Sequence, residues 1–293
     1  MAIDVARIEG EAARPIPART PAERARRLLT YAILIAVSAL FFVPFVWSVS
    51  TSLKTLPETT GFDLIPNAPS LSAYREVLVE FNFLRFAANS FFLAGTITLA
   101  NLILASLGGY AFARLRFPGR EVLFMLVLAT LMIPDQLRLV PVFVMLSGWG
   151  LVGSFKGYML IKLVLATNLF FMRQYFLTIP RDFEDAAKLD NAGHFKTYWK
   201  VMLPLTGPAL AAVTILTFQG IWNEFFWPLI LLGFGDPDHY TVQLGIAQFR
   251  FQYGALWPQL MAASVMAILP VVLLFVIFQR YFVAGVVASG VKG

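Results

Sequence analysis

Three stretches of this 293-residue chain carry no charged side chain: Leu28 to Leu53, Phe86 to Ala113, and Phe251 to Gln279. Each is longer than the roughly 20 residues a helix needs to cross about 30 Å of hydrocarbon. A fourth, Val201 to Gly235, holds a single charge, Glu224. With 58% hydrophobic residues, 14% charged residues and 28 Phe, the chain has more apolar surface than a water-soluble domain can hide. The expected class is an all-α membrane protein.

Two further spans must lie between Arg120 and Arg173, where Asp135, Arg138, Lys156 and Lys162 interrupt the apolar pattern. The expectation is six transmembrane helices, near residues 28–50, 86–113, 119–136, 153–176, 205–234 and 257–280. An amphipathic segment from Leu139 to Gly148 would lie at the interface between the third and fourth. Residues 1–27, with three Pro and six Arg, read as a basic tail, 28–283 as one six-helix domain, and 284–293 as a flexible second tail. The first apolar run exceeds the roughly 7–15 residues of a signal peptide's core, which favours a retained helix.

Loop charge sets the expected orientation. With both termini in the cytoplasm, the inside loops hold every basic residue except Lys54, Arg75, Arg85, Arg138, Lys156, Lys162 and Arg250, as the positive-inside rule requires. The basic N-terminal tail would then touch lipid headgroups. It lacks the aromatic or motif support that nucleic-acid binding needs.

Enzyme chemistry has little foothold. The chain has no Cys and only two His, His194 and His239. No H-E-x-x-H, G-x-S-x-G or Gly-Lys-Ser/Thr phosphate-loop pattern occurs. Asp236-Pro-Asp-His239 reads as a polar turn rather than a cation site. No cofactor or metal is expected on this chain.

The main interruption of the oil-soluble pattern is a charged island. It runs Pro180-Arg-Asp-Phe-Glu-Asp-Ala-Ala-Lys-Leu-Asp-Asn-Ala-Gly-His-Phe and is followed by Val201-Met-Leu-Pro-Leu. Asp182, Glu184 and Asp185 fall at the positive end of a short helix, and Asn191 and Gly193 end it in a turn. The small pair Ala186-Ala187 lets a helix seat closely in a partner's groove, which a passive connector does not need.

This order closely resembles the EAA loop of ABC importer permeases, with Asn191 where a glycine usually follows the Asp. Asn89-Ser90, Tyr110 to Gly119, Trp222-Asn223-Glu224, Phe278 to Phe282 and the ending Gly290-Val-Lys-Gly293 extend the resemblance over residues 28–293. It is to the MalG-like permease subunit of carbohydrate importers of the maltose type.

That resemblance implies a type I, MetI-like importer fold in the cytoplasmic membrane of a prokaryote. It implies a second, MalF-like permease subunit, a dimer of ABC ATPase subunits using ATP and Mg, and an extracytoplasmic solute-binding protein. A sugar or oligosaccharide would cross by alternating access. ATPase coupling would fall to the 178–204 loop through Glu184, Asp185, Ala186, Ala187, Asp190, Asn191, Gly193, Leu203 and Pro204. Gly290, Lys292 and Gly293 would form a C-terminal contact to the ATPase. Two alternatives stand beside it: a glycerol-3-phosphate or glycerophosphodiester permease of the same group, and an ion-coupled secondary transporter working alone.

Polar groups inside spans are costly, so their placement carries information. Asn89, Trp222, Asn223 and Glu224 are candidates for the translocation path or gate. Glu224 would lie about 28 Å along a helix from Leu205. Asn89 and Asn223 can equally hydrogen-bond neighbouring helices. Lys162 lies about 16 Å along the axis from Arg173. It either snorkels to the interface or points into the path and pairs with a carboxylate such as Glu224.

Overall fold

The computed structural model describes residues 20–61, 63–251 and 256–290, and every regular element among them is helical. Two compact units divide between Ser48 and Val49. The first holds most of α1 (Pro21–Ser52), which opens on a reciprocal capping box. There the Thr20 N–H donates to Glu23 Oε2 at 3.0 Å, and the Glu23 N–H donates to Thr20 Oγ1 at 3.3 Å. Pro21 fits the first turn because its missing N–H would be unpaired there anyway.

The second unit is organised by α3 (Phe83–Arg114), which follows the short α2 (Ser72–Val79). After it come α4 (Arg120–Leu131), α5 (Asp135–Gly148), α6 (Phe155–Lys162) and α7 (Ala166–Thr178). The charged island forms α8 (Asp182–Leu189), α9 (His194–Thr197), a π-helical turn over Tyr198–Met202 and α10 (Leu203–Leu205). Then follow α11 (Gly207–Trp222), α12 (Phe226–Leu231), α13 (Val242–Phe251) and α14 (Trp257–Gly290).

Both α7 and α11 pack along α3. Small residues permit the approach: a Cβ added at Gly109 would sit 2.7 Å from the Cβ of Met172 and 2.9 Å from the backbone nitrogen of Arg173. Close backbone contact of this kind is how helices associate where lipid competes for apolar surface.

Among the described residues, four helical stretches are long and apolar enough to cross a bilayer: 21–52, 83–114, 155–178 and 257–279. Two bent pairs raise the number to six if each is one span. Arg120–Leu131 with Asp135–Gly148 bends by 102°, and His194–Leu205 with Gly207–Trp222 bends by 77°.

Several expected boundaries shift, mostly at prolines. The segment expected over 119–136 stops at Leu131 because Pro134 has no N–H for the carbonyl of Thr130. The segment expected over 205–234 ends at Trp222 and restarts as α12, whose first turn holds Pro228 where a missing N–H costs nothing. The 153–176 segment breaks over Leu163–Leu165 without a proline. The expected amphipathic piece 139–148 is the latter part of α5. Gly285 and Gly290, expected in a flexible tail, belong to the last helix, while Lys292 and Gly293 lie outside the described residues.

Candidate functional site

The 180–204 loop is a helix–turn–helix with an open face. Asp182, Glu184 and Asp185 occupy the first turn of α8, where unpaired N–H groups favour acids. Asn191 ends the helix with φ 53°, in the left-handed region. The Ala192 N–H donates to the Ala187 carbonyl at 3.0 Å and the Asn191 N–H to the Lys188 carbonyl at 3.0 Å. Glycine serves at such a stop without strain and asparagine tolerates it, which accounts for Asn191 at a position where the resembling loops carry Gly. Asp190 caps α8 and Gly193 flanks α9, so both shape the turn.

Glu184 does not join the open face. Its Oε2 lies 3.4 Å from Arg114 Nη1, with the two side chains 12% and 4% exposed. Arg114 also donates to the carbonyls of Phe176, at 2.5 Å, and Ile179, at the end of α7. One buried guanidinium therefore ties α3, α7 and α8 together, with Glu184 as the anchor on α8. The hydroxyls of Tyr198 and Ser106 are 2.7 Å apart and join the π turn to α3.

What remains exposed mixes a small-residue groove, large apolar side chains and charge. Ala186 is exposed and Ala187 buried, and both line a groove of about 640 Å³ with Pro180, Phe183, Lys196 and Lys200. Leu189 is 86%, Phe195 72% and Trp199 58% exposed beside it. The Phe195 and Trp199 rings stack at 13°. Asp185 pairs with Lys188 at 2.8 Å in solvent, and that hydrogen bond holds its carboxyl below the usual carboxylate range. Leu203 and Pro204 form α10, where the loop turns into α11.

A second constellation lies where three helix breaks meet. Lys162, the last residue of α6, is largely buried, with its Nζ 3.1 Å from Glu224 Oε2 and 3.5 Å from Asp135 Oδ2. Asp135 opens α5 just after Pro134, and Glu224 lies between α11 and α12. The indole N–H of the buried Trp227 donates to Asp135 Oδ2 at 3.0 Å, and the Phe226 N–H donates to Glu224 Oε1 at 3.2 Å. Arg138 pairs with the other oxygen of Asp135. Snorkelling of Lys162 is thus replaced by ion pairing inside the fold. Tyr158, one turn earlier on α6, is buried with no hydrogen-bond partner for its hydroxyl.

The other path candidates sit elsewhere. The Asn89 side chain donates to the carbonyls of Asp238 at 2.6 Å and Tyr240 at 2.9 Å, while Ser90 Oγ accepts from the Val242 N–H at 2.8 Å. Both clamp the 236–242 loop, because that irregular backbone needs donors and acceptors from a neighbouring helix. Trp222 is 2% exposed and donates to the Ala267 carbonyl at 2.9 Å, so it is a core residue fixing α11 to α14. Asn223 is exposed and accepts from Gln243 Nε2 at 3.3 Å. Asp236 Oδ1 accepts from the Asp238 N–H, as a polar turn does, and no metal-holding group of side chains occurs among the described residues.

Asn101 was not singled out by sequence, yet it repairs the 163–165 break. Its Nδ2 donates to the carbonyls of Lys162 at 3.0 Å and Leu163 at 3.3 Å, and its Oδ1 accepts from the Leu165 N–H at 2.8 Å. Asn168 joins Asn101 to Thr217. Irregular backbone survives at membrane depth only where protein satisfies it. The available signal was a fully polar residue in the middle of the apolar run 86–113. Arg114, Asp135 and Trp227 were also missed as site residues; a charge beside a proline, as at Asp135, was the cue.

A family model described as "Binding-protein-dependent transport system inner membrane component" matches residues 102–287. The arabinooligosaccharides transport system permease protein AraQ of Halalkalibacterium halodurans is 38% identical over 245 residues, covering 83% of this chain and 86% of its own. The trehalose/maltose transport system permease protein MalG of Thermococcus litoralis is 33% identical over 273 residues, 91% of this chain and 96% of its own. A crystal structure of a bacterial ABC transporter involved in the import of the acidic polysaccharide alginate contains a similar fold. Its matching chain has a TM-score of 0.79 at 27% identity and covers 91% of this chain and 100% of that chain.

Proposed function

Because the chain belongs to the family of binding-protein-dependent transport system inner membrane components, we propose that it is one permease subunit of an ATP-driven sugar importer. It does no chemistry on the solute. A second permease subunit completes the pore, a pair of separate ATPase subunits uses ATP and Mg, and an extracytoplasmic binding protein delivers the cargo.

The observation that carries this reading is the open face of the 180–204 loop. Small residues line its groove, and three large apolar side chains stand beside it with nothing covering them. Exposed apolar surface of this kind, rimmed by charge, marks a protein interface. The loop is the seat of the ATPase in this reading, with Ala186, Ala187, Asp190 and Leu189 in contact and Asp185 at the rim. The loop then faces the cytoplasm, as do both termini. Lys292 and Gly293 remain candidates for a further ATPase contact.

The cargo is a sugar or oligosaccharide, as the names of these relatives suggest for those proteins. An anionic solute such as glycerol phosphate asks for an unpaired basic group along the path, whereas Lys162 is matched by two carboxylates. Membership in an ATPase-partnered family disfavours a stand-alone secondary transporter.

The complex reconstituted in proteoliposomes tests this: sugar-loaded binding protein should stimulate its ATPase. Stimulation by a glycerol phosphodiester, or uptake without the ATPase, would overturn it. Orientation is tested by single cysteines, since the chain has none of its own. Asp63→Cys and Asp238→Cys should react with an impermeant maleimide on intact cells, and Lys188→Cys should not.

A further inference from the structure

The ion cluster at Lys162 has a geometry that neither pore lining nor helix packing requires. Asp135 and Lys162 flank the backbone interruptions Met132–Pro134 and Leu163–Leu165, and Glu224 lies inside a third, Asn223–Phe225. Helix breaks are where a fold absorbs changes in backbone angle, so rigid segments pivot there. The three breaks are held together by one ammonium shared between two carboxylates at 3.5 and 3.1 Å.

We propose that Asp135, Lys162 and Glu224 form an ionic latch that holds these three broken spans in the arrangement seen here and opens during each transport cycle. The inference rests on the permease reading above and adds positioning residues to it.

Three features favour a latch over a fixed strut. First, the pairing is redundant, with Lys162 meeting both Asp135 and Glu224 and Arg138 also meeting Asp135, so one contact can open while Lys162 and Asp135 each keep a partner. Second, exposure rises from 11% at Lys162 to 21% at Glu224 and 36% at Asp135. The carboxylates are therefore less enclosed by this chain than the lysine is and have room to move away from it. Third, the elements on either side are independently secured. Asn101 and Asn168 fix the start of α7, and Trp222 fixes the end of α11. The lysine is thus not needed to hold those helices in place. What it does hold is the relation between the breaks.

The test uses the assembled importer, with both permease subunits, ATPase and binding protein, and compares ATPase rates with and without the binding protein. Lys162→Met should raise the basal rate about tenfold, within the range by which single substitutions bias a coupled equilibrium, and shrink stimulation by the binding protein. The conservative variant Lys162→Arg keeps a cation between Asp135 and Glu224 and should hold both rates near wild type, which a role in close packing alone would not allow. If Lys162→Met fails to assemble, Glu224→Gln serves in its place, because Lys162 keeps Asp135, and a smaller rise of the same kind is expected. Wild-type basal and stimulated rates in assembled Lys162→Met, or a Lys162→Arg variant no better than Lys162→Met, would overturn the latch. Absence of binding-protein stimulation in the wild-type complex would instead overturn the permease reading on which it stands.

Discussion

Two lysine–carboxylate pairs with nearly the same geometry have opposite meanings in this molecule. Lys188 meets Asp185 at 2.8 Å with both side chains more than 60% exposed, and Lys162 meets Glu224 at 3.1 Å with the two 11% and 21% exposed. Water screens the first pair, so it contributes little to the fold and leaves α8 free to meet something else. The second has given up its hydration and is tied to its partners, since a lone buried charge is expensive. The loop end of the molecule is therefore built to bind and the ion cluster to constrain. Distance alone would not have told them apart.

Arg114 belongs with the constrained class although it sits beside the loop, and its removal should have the largest effect on stability. Arg114→Ala strands Glu184 and uncovers the carbonyls of Phe176 and Ile179, so we expect about 3–5 kcal/mol of lost stability. A thermal melt of the purified complex in detergent reads this. A melting point unchanged from wild type would put Arg114 with the screened pairs and break the comparison.

Asn101→Leu comes next. It leaves the backbone of the 163–165 break unpaired at membrane depth, at a cost of about 1–3 kcal/mol. Asn101→Asp keeps the acceptor for the Leu165 N–H but sets a carboxylate oxygen against the carbonyls of Lys162 and Leu163, so it should melt no higher than Asn101→Leu; a wild-type melt for either variant would argue against the repair role.

Asp185→Asn should do least. Its carboxyl, held below the ordinary carboxylate range by Lys188, stays ionised through neutral pH. Whatever stability the pair contributes is present above the unfolded carboxylate's pKa and is lost only as pH falls through the depressed folded value. The melting point of Asp185→Asn should match wild type near pH 7, and a clear drop there would show that the exposed pair is structural.

Much of this division can be read in the sequence, for physical reasons that also set the limit. Uncharged runs longer than a bilayer is thick locate α1, α3 and α14, because burial in lipid admits no charge along the whole element. The small pair Ala186-Ala187 and the turn at Asn191 mark the helix–turn–helix of the loop, because close approach and a left-handed residue are local requirements. The expected spans 119–136 and 205–234 run straight through Pro134 and Pro228, and residue type does not tell that breaks there converge with a third one, at 163–165, which has no proline. Which way Glu184 points depends on Arg114, some 70 residues earlier in the chain. Asn89 and Trp222 reach carbonyls on loops and helices far along the sequence. Such pairings are set by packing, so residue type suggested a polar role for Asn89 without saying whether the amide faces the path or a neighbour.

The central claim is that the open face of α8 exists for a partner and not for the fold. Ala186 is exposed and its methyl lines the groove, so Ala186→Trp fills the seat without disturbing the core. The decisive measurement is binding-protein-stimulated ATPase activity of the purified complex carrying Ala186→Trp, with its melting point taken in parallel. The account predicts an unchanged melt and no stimulation. Full stimulation, with the tryptophan in place and the complex intact, would contradict it.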